Sequence, residues 1–452
     1  MATTQPFRSS LPVCDPGSGV TGEAPVWGRN PAAAARGGTD SIAVCMWMWM
    51  WRVVAAASSM VLPTHAESLL DTLDKNLAYE SKDGKFRADV SGLADLEGYY
   101  IDQRPPGLIY GDNTSFVNPR LAMFLDVRYG DHLYAMAQAR WDRGFDPRSS
   151  PNSVRADEYL LRYTPFAEPV ANVQIGKFAT AFGAWVGRHD SWQNPLINAP
   201  LPYENVTVIT DPRPPADLKT FLNRSRIADL KEIWVPLIWG PSYASGASVF
   251  GRLGKWDYAA EVKNAAVSSR PYAWDAWEQG FNFPTVTTRV GFRPNAAWNF
   301  GASFSQGAYL TPDADPKLPL GTTRGDYLQT TFGADASFAW HRFQFWGEAV
   351  GSRFEVPGVT VCDSFSYFLE GRYKLTTRAF LALRWNQQFF GDVADGKGGM
   401  VPWDNDAWRT DVGLGYRFSS HVQGKLQYSF YSQDAGIQQG QQLVAAQLTV
   451  KF

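Results

Sequence analysis

"AWRTDVGLGYRFSSHVQGKLQYSFYSQ" (407–433) decides how the rest of the chain is read. Trp408, Thr410, Val412, Leu414, Tyr416 and Phe418 fall on one side of an extended strand, and Arg409, Asp411, Gly413, Gly415 and Arg417 on the other. After Ser-Ser-His the alternation resumes, with Val422, Gly424, Leu426, Tyr428 and Phe430 opposed to Gln423, Lys425, Gln427 and Ser429. A period of two marks a strand with one apolar face. Two runs of about a dozen residues make a hairpin longer than the ~5–6 residues usual in soluble sheets. They match the ~9–11 residues that a tilted strand needs to cross a bilayer. The closing segment "QLVAAQLTVKF" (442–452) repeats the pattern, with Val444, Ala446, Leu448, Val450 and Phe452 on one side.

The same unit recurs along the chain. Short turns fall at 129–132, 164–169, 252–255, 293–297, 339–342, 374–378 and 418–421. Long Pro/Gly/Asp-rich connections lie between them, such as "AYLTPDADPKLPLGTTRG" (308–325) and "FGDVADGKGGMVPWDN" (390–405). Alternating short and long connections are what an outer-membrane barrel requires. Counting gives sixteen strands, near 85–101, 116–129, 132–143, 155–163, 171–182, 242–252, 255–264, 284–293, 297–307, 326–339, 342–355, 363–375, 378–390, 406–418, 421–433 and 441–452. An even number puts both ends of the barrel on the periplasmic side. "LKEIWVPLIWG" (230–240) is a competing strand that would move the count toward eighteen.

Composition narrows the class further. The 42 basic and 44 acidic residues nearly balance, which argues against nucleic acid as a partner. Aromatics make up 14% of the chain, with 18 Trp, 28 Phe and 19 Tyr. A core, a binding surface or a membrane must absorb them, and a barrel escapes hydropathy tests because only alternate residues meet lipid. "MWMWMWRVVAAASSMVLPTHA" (46–66) reads as a signal peptide, with Val53 to Leu62 as its apolar segment. Residues 1–45 are expected to be a disordered or mis-started extension, 67–84 a short periplasmic helix and linker, and 85–452 the barrel. Beyond the signal only Cys362 remains, so no intramolecular disulfide forms. The reading is an exported protein of the bacterial outer membrane.

The two strand faces carry the functional reading. Trp141, Tyr163, Trp256, Trp298, Phe338, Phe343, Trp408, Phe418 and Phe452 suit aromatic girdles at the membrane interfaces. The opposite face carries Arg120, Arg140, Arg162, Arg289, Arg372, Arg384, Arg409 and Lys425 with Glu348, Glu370 and Asp411, the expected pore lining. Groups of this kind need water or partners, and a lumen of sixteen strands is wide enough for an aqueous channel. Bases outnumber acids on the inward face, which predicts a mild preference for anions such as phosphate. The stretch from Gly183 to about Pro241 far exceeds the ~12–15 residues of ordinary loops. It is expected to fold into the lumen as a constriction loop, presenting Arg188, Asp190, Arg213, Asp217, Arg224 and Arg226.

"VQIGKFATAFGAW" (173–185), in which Gly176, Lys177, Phe178, Phe182 and Gly183 precede that long loop, resembles the phosphate-selective porin O/P family of Gram-negative outer membranes. Ala181 stands where the family pattern has proline. The resemblance implies a sixteen-stranded, homotrimeric diffusion channel with an inward third loop. The terminal Phe452 resembles the aromatic signal that bacterial porins present to the barrel-assembly machinery. Phosphate selectivity does not carry over, because no dense run of arginines falls on one ladder.

Other classes fit less well. Among five histidines only His189, in "RHDSW" (188–192), has catalytic neighbours, Asp190 and Ser191. Adjacent residues rarely assemble a triad. No metal-ligand spacing, phosphate-binding loop or cofactor motif appears, so no cofactor, metal or catalytic residue is assigned. The alternatives are a substrate-specific channel for sugars or aromatic or organic acids, with Trp185, Trp192, Tyr203 and Phe221 as a greasy slide, a barrel enzyme, or a secreted β-rich carbohydrate-binding protein.

Overall fold

The computed structural model describes residues 70–72, 76–102, 108–109, 113–144, 152–224, 231–270, 280–434 and 440–452. All of them belong to one compact unit running from Val61 to Phe452. The expected signal peptide and N-terminal extension lie outside the described residues.

Among the described residues, sixteen antiparallel strands close on themselves. In chain order they are β1 (Phe86–Ile101), β2 (Ser115–Tyr129), β3 (Leu133–Asp142), β4 (Ser153–Tyr163), β5 (Asn172–Phe178), β6 (Ala244–Leu253), β7 (Trp256–Lys263) and β8 (Thr285–Phe292). Then come β9 (Trp298–Ala308), β10 (Leu328–Trp340), β11 (Phe343–Glu355), β12 (Val361–Lys374), β13 (Ala379–Phe390), β14 (Ala407–Arg417), β15 (Val422–Gln433) and β16 (Gly440–Lys451). Each pairs with its sequence neighbours, and β16 pairs with β1 from Leu443↔Ile101 to Lys451↔Leu93. Phe452 completes the seam: its N–H donates to Gly92 O at 3.1 Å and its carbonyl accepts from Gly92 N at 2.7 Å. Each of these sixteen strands has a hydrogen-bonded neighbour on both sides, the arrangement that lets a sheet stand in lipid.

The alternation sorts the faces as its period requires. Leu96, Val117, Leu161, Ile175, Phe332, Leu369, Leu383 and Leu414 are exposed on the outer face, while Glu97, Asn118, Arg384, Asn386, Arg409 and Asp411 are buried on the inner. Aromatics gather at the short-turn end, where ring pairs Trp256–Phe292, Trp298–Phe338 and Phe343–Tyr373 lie 4.4–4.6 Å apart. Among the girdle residues, Trp141, Tyr163, Trp256, Trp298 and Phe343 are exposed.

Three local departures have visible causes. Strand β5 has 7 residues and stops at Phe178, short of the expected 182, because Glu158 and Glu261 take the N–H groups of Ala179 (2.7 Å) and Ala181 (3.0 Å). Residues 231–240 are no wall strand. They begin with the 3-10 turn Lys231–Ile233 and then bury Val235, Leu237 and Ile238 in a core that the inserted loop shares with the wall. Ala78–Glu80, expected as linker, pairs with Arg87–Asp89 of β1. The helical turn before it is tied down by Asp71, whose Oδ1 lies 2.8 Å from His421 Nε2.

Candidate functional site

The chain enters the lumen through a short sequence of backbone devices. Gly176 adopts φ +131°, and a Cβ there would stand 2.2 Å from Tyr159 O, so only glycine permits this approach. Lys177 then donates to Ala156 O at 2.7 Å, and Phe178 packs under Lys263 Nζ at 4.3 Å. Phe182 is fully buried. Gly183, at φ +74°, leaves room for the Glu348 carboxylate, which a Cβ would meet at 2.4 Å.

From Ala184 onward the loop is fastened to the inner wall. Glu348 on β11 accepts the N–H groups of Ala184 (2.9 Å) and Trp185 (3.2 Å) and the Tyr203 hydroxyl. Arg188 pairs with Glu370 on β12 and stacks over the Trp346 ring. Lys425 on β15 donates to Asn194 O (2.9 Å) and Leu196 O (3.2 Å), and Gln427 accepts from Ile197 N (2.5 Å). Arg384 on β13 reaches Asn198 O at 2.8 Å and Ala199 O at 3.3 Å, while Arg409 on β14 donates to Ala199 O. Asn386 accepts from Leu201 N at 3.2 Å. Farther out, Val208, Ile209, Phe221, Val235 and Ile238 pack against Phe354, Phe368, Phe390 and Trp403. The expectation of a lumen open across its width is corrected here: on the β9–β15 side the interior is filled, because the loop supplies both apolar side chains and backbone partners for the wall's charges.

Open space remains on the opposite side, between the loop and β1–β4. An outer cavity of about 90 Å³ is lined by Tyr99, Trp185, Tyr203, Asn198 and Trp239 among others, and a second of about 120 Å³ toward the short turns by Asp95, Phe124, Gln138, Glu158 and Asp190. Arg120, Arg140, His189 and Ser191 line both. Arg120 is held by Glu97 (2.7 Å) and Asp95 (3.3 Å), and Arg140 by Asp157 (2.9 Å). Glu97 also accepts from Tyr99 (2.7 Å), Asn118 (2.9 Å) and Gln447 (2.6 Å), which ties β1, β2 and β16 together behind the cavity. The cations stand in front of their partners: the side chains of Arg120 and Arg140 are 21% and 11% exposed, those of Glu97 and Asp157 0%.

No protein-family model matches the sequence, and no curated protein is significantly similar to it. Solved structures match in shape. An anion-selective porin from Comamonas acidovorans superposes with a TM-score of 0.54 at 11% identity, covering 81% of this chain and 100% of that one. OmpT of Vibrio cholerae in its trimer form gives 0.50 at 12% identity, covering 81% and 100%. The outer membrane channel DcaP of Acinetobacter baumannii gives 0.51 at 11% identity, covering 83% and 99%. The chain has the fold of the outer-membrane porins.

Within this porin fold the expected pore-lining residues divide into two groups. Arg120 and Arg140 border the cavities. Arg384, Arg409, Lys425, Glu348, Glu370 and Asp411 face inward but lie buried beneath the loop, and Arg289, bonded to Asp335 (2.8 Å) and Gly183 O (3.2 Å), holds the loop's entry. Arg162 bonds Gln174 at 3.0 Å, and Arg372 lies over the Phe380 ring at 4.3 Å. Of the loop residues, Asp190 lines the second cavity and caps the N–H groups of Trp192 (2.9 Å) and Gln193 (2.7 Å). Asp217 caps the short helix Leu218–Leu222. Buried Arg224 braces Thr210 Oγ1 (3.0 Å) and Arg213 O (2.6 Å), and the Arg213 side chain is exposed. Arg226 lies outside the described residues.

His189 assembles no triad with Asp190 and Ser191. Its Nδ1 faces Val186 O at 2.6 Å and its Nε2 the Tyr243 hydroxyl at 3.0 Å. Burial, reinforced by the Arg140 and Arg120 charges, pushes its imidazole down to about 4, so it is neutral at ordinary pH. Among the described residues no cluster of ligands is suited to a metal ion. The alternation gave no signal for Asn194, Asn198 and Trp239, which line the outer cavity from the loop and its return.

Proposed function

We propose that the chain forms a narrow diffusion channel of the bacterial outer membrane for small hydrophilic solutes, with a mild preference for anions. One observation carries this reading: two polar cavities lie between the inserted loop and β1–β4 and share a rim of Arg120, Arg140, His189 and Ser191. A solute passing that rim meets the guanidinium groups first, since their carboxylates are buried behind them. The preference is mild because each guanidinium is already paired. It rests on this narrower ground than the inward base count, because the loop covers Arg384, Arg409 and Lys425. Phosphate has no dedicated arginine ladder here and is one small anion among others.

A homotrimer is part of the proposal. Strands β5, β7 and β8 have only 7, 8 and 8 residues, fewer than the ~9–11 needed to cross a bilayer. A second copy against this low wall would shield it from lipid, and OmpT of Vibrio cholerae is described in a trimer form. The N-terminal signal peptide and recognition of the β16 strand by the barrel-assembly machinery complete the route to the membrane.

The test is single-channel current through the purified protein in a planar bilayer under a salt gradient. Discrete steps with a reversal potential favouring chloride are expected. A reversal potential favouring potassium would overturn the anion preference, and the absence of any steps from heat-modifiable, folded protein would overturn the channel.

A further inference from the structure

We propose that the segment ahead of β1 is a proton-operated clasp on the barrel's closing seam, with His421 as the group that takes the proton. The inference goes beyond the channel reading and does not depend on it.

The seam is uneven at its short-turn end. Strand β16 runs out opposite Gly92, where Phe452 makes the last backbone pair. Strand β1 begins earlier, at Phe86, so Phe86 to Ser91 extend past the end of β16. Ala78–Glu80 covers part of this overhang by pairing with Arg87–Asp89, and Leu77 O accepts from Val90 N at 3.0 Å. Without that cover the edge would present bare amides and carbonyls. Asp71 ties the other end of the segment to His421, in the turn between β14 and β15. The same histidine is joined to β16: its Nδ1 lies 2.9 Å from Lys451 O, and its own carbonyl accepts from Lys451 N at 2.8 Å. The segment therefore reaches across the seam, from the β15–β16 side to β1.

The two ring contacts of His421 set its proton count. Lys451 O can only accept, and so can the Asp71 carboxylate, 2.8 Å from Nε2. A neutral imidazole offers one N–H and one lone pair, whereas the imidazolium offers two N–H groups. Only the charged ring satisfies both contacts, and its bond to Asp71 is then charge-assisted. Burial of the ring opposes the charge, while the carboxylate and the two accepting oxygens favour it. When the proton leaves, one nitrogen turns a lone pair toward an acceptor. Lys451 O is fixed by the seam, whereas the Asp71 side chain is 55% exposed, so the Asp71 contact is the one that opens. The other charged groups nearby are engaged elsewhere: Lys451 and Arg417 lie over the Trp192 ring at 5.6 and 5.2 Å, Arg87 pairs with Asp89 at 2.8 Å, and Gly92 holds the Phe452 end. A histidine that gains such partners on folding keeps its proton above the ~6.5 of a free ring. The clasp is thus complete below about pH 6.5 and is lost as pH rises through the higher folded value.

The experiment measures amide hydrogen exchange at Val90 in the folded protein in detergent, together with ring NMR of His421. In the wild type the ring should still carry its proton at pH 7. Protection at Val90, corrected for the intrinsic exchange rate, should fall about tenfold between pH 5.5 and pH 8.5. Asp71→Asn keeps the size of the side chain and supplies an N–H that a neutral Nε2 can accept, so protection should persist at the higher pH. A merely structural contact predicts equal protection at both pH values in the wild type. That result, a ring already neutral at pH 6, or an Asp71→Asn variant that loses protection as the wild type does, would each overturn the clasp. Both readouts need only the closed barrel, so a protein that conducts no current would sink the channel reading and leave this test intact.

Discussion

Replacing Arg384 by methionine should loosen the inserted loop while leaving the barrel closed. The guanidinium is wholly buried, bonded to Asp411 at 3.0 Å, to Glu370 at 3.1 Å, and to the carbonyls of Asn198 and Ala199 at 2.8 and 3.3 Å. Methionine keeps most of the packing and loses all four bonds. Hydrogen bonds to a charged group contribute about 1.5–3 kcal/mol each, and removing one partner of a buried ion pair costs about 3–5 kcal/mol. Arg188 still serves Glu370 and Arg409 still serves Asp411, so about 3–5 kcal/mol is the whole effect rather than an increment. At about 1.4 kcal/mol per factor of ten, local opening of the loop rises between about a hundredfold and several thousandfold. Amide hydrogen exchange reads this directly. Ile197 and Asn198 donate to Gln427, and Leu201 to Asn386; their exchange should accelerate by that factor while amides of β14 stay protected. Wild-type exchange at these three sites in a folded variant would refute the view that wall arginines hold the loop. Equal acceleration everywhere would show that Arg384 supports the barrel as a whole.

Two further outcomes test other parts of the molecule. Asp404, buried in the loop between β13 and β14, has its carboxyl pushed up to about 7 by burial, against amide bonds from Asn405 and Val208. Its folded value lies above its unfolded one of 3.8, so its contribution is full below 3.8 and is lost as pH rises from there through about 7. Asp404→Asn should therefore stabilise the protein at pH 8 by up to a few kcal/mol and much less at pH 5, and a parallel upward shift in Tm at both would contradict this. At the seam, a Cβ on Gly92 would stand 2.4 Å from the Phe452 ring, so Gly92→Val should cost about 1–3 kcal/mol through overpacking. Heat-modifiable migration in detergent gels would show it as a lower transition temperature, and an unchanged transition would mean that the ring moves aside freely.

How far the sequence could be read depended on what periodicity encodes. A period of two separates the faces of each strand, and Gly/Pro/Asp-rich breaks separate the strands, so all sixteen wall segments were legible within a few residues. The pattern cannot say what an inward residue meets. Arg384 and Arg409 read like any lumen-facing arginine, yet both bond Ala199 O from far along the chain. Arg224 and Asp217 looked like solute contacts because they sit in the right loop, and they prove to brace its turns. The end of β5 was misplaced because Ala179 and Ala181 suit a strand by composition, while the acids that capture their N–H groups come from β4 and β7.

The β16–β1 seam bears on how such a molecule comes into being. Thr449 bonds Asp95 across 354 residues of chain, and Gln447 bonds Glu97 across 350. Every other neighbouring pair in the wall is local by comparison. A pairing this remote carries the largest loop-closure entropy in the molecule and forms slowly. Until it forms, β1 and β16 each present a bare row of amides and carbonyls that any other strand could template. The half-made sheet is thus at its most adhesive just before completion, and its safe passage depends on keeping two distant edges occupied until they find each other.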